Sequence, residues 1–445
     1  FAAGANSVFV PSQGVRGAIT AGSSTTKIVT STVQAVTIPT NRLANRGGGR
    51  GYKIRIIDNG AGGTGKTEER LIVSNSESTT PTIYLDSALS FTPVSGSTFE
   101  ILSGRVYMLS AGTVAAGVWK YYDIALNTFS GNLATTNLPA TIATDSQIIS
   151  LDELYTPSNR APSEGYFGNI TATASGASSL TASGLPAGLQ ADQFRNFQVR
   201  IVEDTVNPTA VGQRRIISTH TAGATGVFTT TTAFTVTPSA SAKFVIENSN
   251  EILAWFAGQT ATYSYNHQAI GAATADTWAN ARYAARGVTV GLGNMVVHGF
   301  GIPMPYADDP EFMYRHSRIF SFRGGATVTL DILDIAGASN GSWTNASPYG
   351  SIGTTITTGS CIAYDPVSNN GECAIINING TQTFYRFNIF NKDMNEWAQI
   401  RYPQGAAVVG SRMECLHFTN GSDKVGMLHM LRASGVELFD CVIQR

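Results

Sequence analysis

The chain repeats itself at a shift of 145 positions, so any fold it adopts must hold the same unit twice. Tyr52-Lys53-Ile54-Arg55-Ile56-Ile57-Asp58 aligns with Phe197-Gln198-Val199-Arg200-Ile201-Val202-Glu203. The alignment runs without a gap for about fifty residues. Arg70-Leu71-Ile72 falls on Arg215-Ile216-Ile217, Thr92-Pro93 on Thr237-Pro238, and Phe99 on Phe244. An earlier match, Gly17-Ala18-Ile19-Thr20-Ala21 with Gly168-Asn169-Ile170-Thr171-Ala172, needs a shift of 151. The first copy therefore carries six extra residues, assigned to the Gly-rich run 46–51, and the units span 17–102 and 166–247.

The repeat bears on the sharpest chemical motif in the chain. Gly60-Ala61-Gly62-Gly63-Thr64-Gly65-Lys66-Thr67 has the spacing of a phosphate-binding loop. Such a loop works when a strand leads in and a helix leads out, because backbone N–H groups and the helix N-terminus hold the phosphates. Here a strand-like run follows instead, and the second copy has Asn207-Pro208-Thr209-Ala210-Val211-Gly212-Gln213 in that region. Gly60, Gly65, Lys66 and Thr67 read as a hairpin turn, and no cofactor is expected.

Charged residues make up 13% of the 445 positions, about half the usual share, while 46 are Gly. Four- to seven-residue runs rich in β-branched and aromatic residues, separated by Gly, Asn, Asp and Ser, predict an all-β chain. The best helical stretch is short: Asp276-Thr277-Trp278-Ala279-Asn280-Ala281-Arg282-Tyr283-Ala284-Ala285. A net charge of −1 offers no long-range attraction to a phosphate backbone, and no apolar run reaches a membrane span. Neither nucleic acid nor membrane is an expected partner. The start, Phe1-Ala2-Ala3-Gly4, does not read as a signal peptide and lacks an initiator Met, as in a processed chain or a fragment.

A second pattern follows each duplicated unit: a strand, a turn, a strand ending in an aromatic residue and Asp or Asn, then a downstream aromatic residue. It occurs at Val106–Leu109, Trp119–Ile124 and Phe129, at 252–256, 263–266 and Trp278, and at 319–325, 333–335 and Trp343. A fourth instance is 374–378, 384–389 and Trp397, and an incomplete fifth is 426–431 and 436–440. The pattern resembles the blade of Kelch-type β-propellers, in which an outer-strand Trp packs between blades. The double Gly of that family is clear only at Gly324-Gly325. The duplicated units resemble small β-modules of tailed-bacteriophage structural proteins. Tyr402-Pro403-Gln404-Gly405-Ala406-Ala407-Val408-Val409-Gly410-Ser411-Arg412-Met413 is similar to the closing part of propeller-bearing virion proteins.

The expected fold is all-β, with Kelch-like β-propeller blades combined with two homologous small β-sandwich or barrel modules. The segments are an N-terminal arm or strand (1–16), the first module (17–102), a blade and linker (103–165), the second module (166–247) and propeller blades (248–445). The modules separate the early blades, so they are inserted between blades or the blades are few. The ring is completed by the strand around Val8-Phe9-Val10 or by another chain.

Three residue sets invite chemistry. Asp308, Asp309 and Glu311, near His316 and Arg318, are either a solvated loop or a cation site. Asp123, Asp334 and Asn388 recur at one blade position, where they line a channel or cap turns. Trp119, Trp255, Trp278, Trp343 and Trp397 are periodic, as core packing between blades requires, with sugar stacking as the other reading. Cys361, Cys373, Cys415 and Cys441 lack C-x-x-C spacing and are buried thiols or one or two disulfides. No His shows metal-ligand spacing, so no metal is expected.

The resemblance implies a non-enzymatic structural protein of a tailed-phage virion, in tail, neck, baseplate or head decoration. Its partners are other virion proteins and copies of itself, and it is assembled in the bacterial host cytoplasm. The alternatives are a receptor- or glycan-binding appendage with host surface glycan as partner, a glycan depolymerase, and a secreted bacterial surface β-protein.

Overall fold

A computed structural model describes the chain except for residues 1–5, 46–50, 152–165, 172–175, 186, 248, 250, 268–275, 293–294, 300–317, 347–354, 366–372, 379, 381–382, 389–393, 397–411, 421–422, 433–436 and 445. Among the described residues, every regular element apart from short 3-10 turns is a β-strand.

The chain opens with β1 (Asn6–Val10) and runs directly into the first duplicated unit: β2 (Arg16–Ala18), β3 (Lys27–Val29), β4 (Lys53–Asp58), β5 (Lys66–Asn75), β6 (Thr82–Leu85) and β7 (Thr98–Leu102). It continues through β8 (Arg105–Leu109), β9 (Gly112–Thr113), β10 (Trp119–Asp123), β11 (Thr128–Phe129), β12 (Thr141–Ile142) and β13 (Gln147–Ser150). The second unit holds β14 (Tyr166–Ile170), β15 (Ser179–Ser183), β16 (Gln198–Glu203), β17 (Arg214–His220), β18 (Gly226–Thr230) and β19 (Lys243–Glu247). Then come β20 (Glu251–Trp255), β21 (Tyr263–Asn266), β22 (Thr277–Ala279), β23 (Met295–Gly299), β24 (Arg318–Phe322), β25 (Leu330–Asp334) and β26 (Ser342–Ala346). The last strands are β27 (Cys361–Asp365), β28 (Cys373–Asn377), β29 (Phe384–Asn388), β30 (Met394–Glu396), β31 (Arg412–Asn420), β32 (Asp423–Arg432) and β33 (Glu437–Gln444).

Four antiparallel sheets share one plan, with strands side by side in chain order: β1-β8-β10-β11, β13-β20-β21-β22, β23-β24-β25-β26 and β27-β28-β29-β30. A fifth sheet, β31-β32-β33, has three strands. The first strands of successive sheets are neighbours, β1 beside β13, then β23, β27 and β31. That is the arrangement of inner strands around a propeller axis. Strand alternation supplies the packing. Val8 and Val10 are buried while Ser7 and Phe9 are exposed, and Tyr107, Leu109 and Trp119 turn to the same side to meet Ile252, Tyr265 and Trp278 of the second sheet. Ile149, Leu253 and Trp255 meet Ile319 and Leu333 of the third, and Phe320 and Phe322 meet Ala374 and Phe387 of the fourth.

Each duplicated unit is a closed six-stranded antiparallel barrel. In the first the order is β2-β7-β4-β5-β6-β3, closed by the Ile19–Thr30 bridge. In the second it is β14-β19-β16-β17-β18-β15, closed by β15 on β14. The same order in both matches the sequence repeat. An acidic residue pins equivalent loops. Asp58 accepts from the hydroxyls of Thr64 and Ser97 and the N–H of Val94. Asp204 accepts from Ser239 Oγ and from the N–H groups of Asn207 and Ser239.

The structure departs from the sequence pattern in two places. The barrels do not lie between blades: β1 pairs with β8 across the first barrel, and β13 pairs with β20 across the second. Each barrel is an insertion between the first and second strands of one sheet. The 1–16 arm thus contains the inner strand of the first sheet, and the 103–165 linker that of the second. The helical stretch at 276–285 begins as a strand instead, because Thr277–Ala279 pairs with β21 and buries Trp278. Asp276, at φ 46, turns the chain into it. The Gly-rich run 46–50 lies outside the described residues.

Candidate functional site

The densest polar arrangement lies where the two barrels meet. β5 and β16 join at Lys66 and Glu203. Gly65, at φ 67, passes so close that a Cβ there would lie 2.0 Å from the carbonyl oxygen of Asp204. Nearby, strand register sets Arg55 beside Glu69 on one flank and Glu100 on the other. Arg55 contacts Glu69 at 2.8 Å and Glu100 at 3.2 Å. Arg214 of the second barrel crosses to Glu100, donating at 3.0 and 2.8 Å to its two oxygens. Arg200 pairs with Glu247 at 3.1 Å, and Arg214 approaches the same carboxylate at 3.6 Å. Arg55, Arg200, Arg214, Glu100 and Glu247 are all buried.

Three guanidinium groups balance three carboxylates, which is how buried charge is tolerated. Burial alone raises the Glu100 carboxyl, but Arg214 and Arg55 outweigh it and hold it well below the carboxylate range. Burial likewise opposes ionisation of Glu247, and Arg200 and Arg214 overcome it. The duplication explains the fit. At the 145-position shift Arg55 corresponds to Arg200, but Glu69 corresponds to Arg214. One position has opposite charge in the two copies, and that reversal supplies the cation that reaches Glu100 of the other barrel.

The barrels are also fastened to the propeller. Arg42 donates to the carbonyls of Ala125 and Ile124 in the turn after β10. Asn196 donates to Ile335 and Ala338 in the turn after β25, and its amide oxygen accepts from Arg282, which faces buried Glu251 at 3.4 Å. Both turns lie at the end of the sheets from which the barrels are inserted. The barrels therefore sit on one face of the propeller.

The sequence-highlighted residues fall as follows. Gly60, Gly65, Lys66 and Thr67 form the β4–β5 turn and the start of a ten-residue strand, with no helix behind them. Asp123 accepts the N–H of Leu126 and pairs with Arg105 at 2.9 Å. Asp334 accepts the N–H of Ala336. Both carboxylates thus cap the turn to the outer strand, and Asn388 stands at the same register position. Trp119 packs on Trp278 and Tyr265 across the first two sheets, and Trp255 on Trp343 across the next two. Trp397 lies outside the described residues. In register it is Met394, opposite Phe387, that matches Trp343 opposite Leu333, so the equal nine-residue spacing does not mark equal positions.

Asp308, Asp309 and Glu311 also lie outside the described residues. Cys361 is buried on β27. Cys415 and Cys441 flank Leu428 from opposite sides. Cys361 and Cys373 stand on adjacent strands, opposite Asn377 and Asp365 respectively.

Pattern reading missed the interbarrel charges and the buried histidines. The signal for the charges was available: Arg and Glu on strands of a chain poor in charge, with one sign reversed between the repeats. His220 is buried against Phe194 and Phe228. Its Nε2 accepts the N–H of Phe194 at 2.7 Å, so the proton sits on Nδ1, facing the Thr221 carbonyl. Burial holds its pKa below the ordinary 6.5. His267, fully buried and stacked on Tyr107, is pushed down to about 3 by burial and by Arg16 and Arg105. A folded-state pKa below the unfolded value means stability is fully present above pH 6.5 and declines as pH falls below it. Each histidine contributes up to about 1.4 kcal/mol per pH unit. His220→Gln, neutral throughout, is expected to remove one proton's share of the slope as pH falls below 6.5. Denaturant titrations across that window check it; an unchanged slope refutes the assignment.

No group of three His, Cys, Asp or Glu able to hold a metal occurs among the described residues. The carboxylates of Glu69, Glu100, Glu247 and Asp331 all have pKa values lowered against the effect of burial by arginine neighbours. A general acid needs the opposite shift. Of these, Glu100 joins the two barrels, and the others pair within their own barrel or within the propeller.

No protein-family model matches the chain, and no curated protein matches it in sequence. Among solved structures, it is similar to an α-L-arabinanase of Penicillium chrysogenum in complex with arabinobiose, at 11% identity and TM-score 0.29, covering 93% of this chain and 98% of that one. The Malassezia sympodialis allergen Mala s 1 matches at 10% identity and TM-score 0.26, covering 76% and 88%. An α-L-arabinofuranosidase of Fusarium graminearum matches at 8% and 0.27, covering 77% and 90%. Likeness at this level transfers neither activity nor site residues. The chain's own pairings define the class: an all-β propeller carrying two homologous barrels on one face.

Proposed function

We propose that this protein is a structural component of a tailed-phage virion, in the tail, neck, baseplate or head-attached layer. It acts through protein–protein assembly and not as an enzyme. One observation carries the reading: a buried ion pair and a buried polar chain fasten the modules to one another. Arg214–Glu100 ties barrel to barrel, and the Asn196–Arg282–Glu251 chain ties a barrel to the propeller. Fixed relative placement of modules is what a mechanical part requires, and a sparsely charged surface favours association. The blade and module resemblances add to it.

Mass spectrometry of purified particles, with copy number measured against the major capsid protein, tests the proposal. A fixed, symmetry-related copy number is expected. A small one belongs to tail or neck, and one comparable to the capsid protein belongs to decoration. Absence from particles overturns the reading and directs the protein to a host-glycan binding screen. Release of sugar from arabinan by the purified chain would overturn the non-enzymatic part.

A further inference from the structure

The first propeller sheet has one apolar face that the rest of the described chain does not cover. Register aligns Phe9, Val106, Tyr122 and Phe129 in one row across its four strands. Phe9 is 42% exposed and Phe129 57% exposed. The rings of Tyr122 and Phe129 lie 5.3 Å apart, and Phe9 rests over Gly104, whose missing side chain leaves room for it.

The corresponding positions in the other sheets show what such a row is for. By register, Val106, Tyr122 and Phe129 correspond to Ile252, Tyr265 and Trp278 in the second sheet. There all three are buried, Trp278 to 1% exposure, against the preceding sheet. Ile319 and Leu333 of the third sheet are buried against the second, and Ala374 and Phe387 of the fourth against the third. The same positions meet the preceding sheet three times. In the first sheet, among the described residues, Phe129 at the position of Trp278 is 57% exposed, and Val106 and Tyr122 are half-buried.

We infer that this row is an interface between copies of the chain, and that its occupant is the last sheet, β31–β33, of a second copy. The inference rests on the proposed assembly with copies of itself. The occupant follows from continuity: the row continues an established series of sheet-on-sheet contacts, so its complement is the trailing side of a propeller sheet. The chain's own fifth sheet sits beside the fourth, β31 next to β27, and Phe9 and Phe129 remain exposed with it in place. In β31–β33 one set of alternate positions is mostly apolar, with Met413, Cys415, Leu428, Met430, Phe439 and Cys441, while the other mixes apolar residues with the polar row Glu414, His429 and Asp440. Last sheet on first sheet is a head-to-tail contact, which generates a ring when the rotation closes and a filament when it does not.

The test uses the full chain. Light scattering coupled to size exclusion is expected to give a multiple of the chain mass. Phe129→Glu and Phe9→Glu, at exposed positions, are expected to give the single-chain mass with wild-type circular dichroism, while Val33→Glu on the first barrel leaves association unchanged. A benzophenone amino acid at position 129, in a mixture of isotopically heavy and light copies, is expected to cross-link to β31–β33 of the other isotope. Cross-links confined to one isotope would overturn the inference in favour of closure by the chain's own last sheet. A wild type that stays at single-chain mass would also overturn it, as would association that survives both Glu variants. A single-chain species found in virions at fixed copy number would overturn this inference and leave the virion proposal standing.

Discussion

Glu100→Ala is expected to destabilise the barrel pair by about 3–5 kcal/mol, the cost of removing one partner from a buried ion pair. The carboxylate faces Arg55 at 3.2 Å and Arg214 at 2.8 Å. Without it, Arg55, Arg200 and Arg214 are left with two carboxylates in a buried site. Salt cannot screen charges from which water is excluded, so the loss persists at high ionic strength. The exposed Lys243–Glu203 pair is the control, since its removal is expected to cost at most about 1 kcal/mol. The chain offers a convenient readout because all five Trp lie outside both barrels. In urea, the variant should show an early transition by hydrogen exchange of barrel amides while Trp fluorescence follows the later loss of the propeller. Coincident transitions at the wild-type midpoint would show that the network carries no such weight.

Trp119→Ala is expected to cost about 3–5 kcal/mol through the cavity it leaves. The ring is fully buried, with centroids 5.1 Å from both Tyr265 and Trp278 and 5.4 Å from Tyr107. These residues span the contact between the first two sheets, so the loss falls on the propeller and not on the barrels. Thermal unfolding followed by fluorescence of the remaining Trp is the measurement, with Trp119→Phe expected to cost less because a ring still fills the site. A Trp119→Ala midpoint within error of the wild type would place the strength of that contact elsewhere.

Much of the fold was legible as local pattern. The second and third strands of the first four sheets, the outer strands of the first three, and two strands of the last coincide with runs singled out by alternation and aromatic spacing. The duplicated units coincide with two barrels of the same strand order. The turn nature of Gly60–Thr67 followed from the strand-like Glu68-Glu69-Arg70-Leu71 run after it. The inner strands were harder to see. β13 is only Gln147–Ser150, and nothing in four residues announces a partner at Glu251.

The sequence by itself determined that the chain is β throughout, which residues alternate inward, and that one unit occurs twice. These are local properties, set by side-chain branching, turn residues and a period of two. Tertiary structure alone decided that each barrel is threaded between two strands of one sheet, because alternation tells which side of a strand is buried but not which strand lies beside it. It decided likewise that Glu100 meets Arg214 across 114 positions of chain. Neither residue can be buried as a charge without a partner of opposite sign, and only the folded arrangement of two barrels brings that partner within reach.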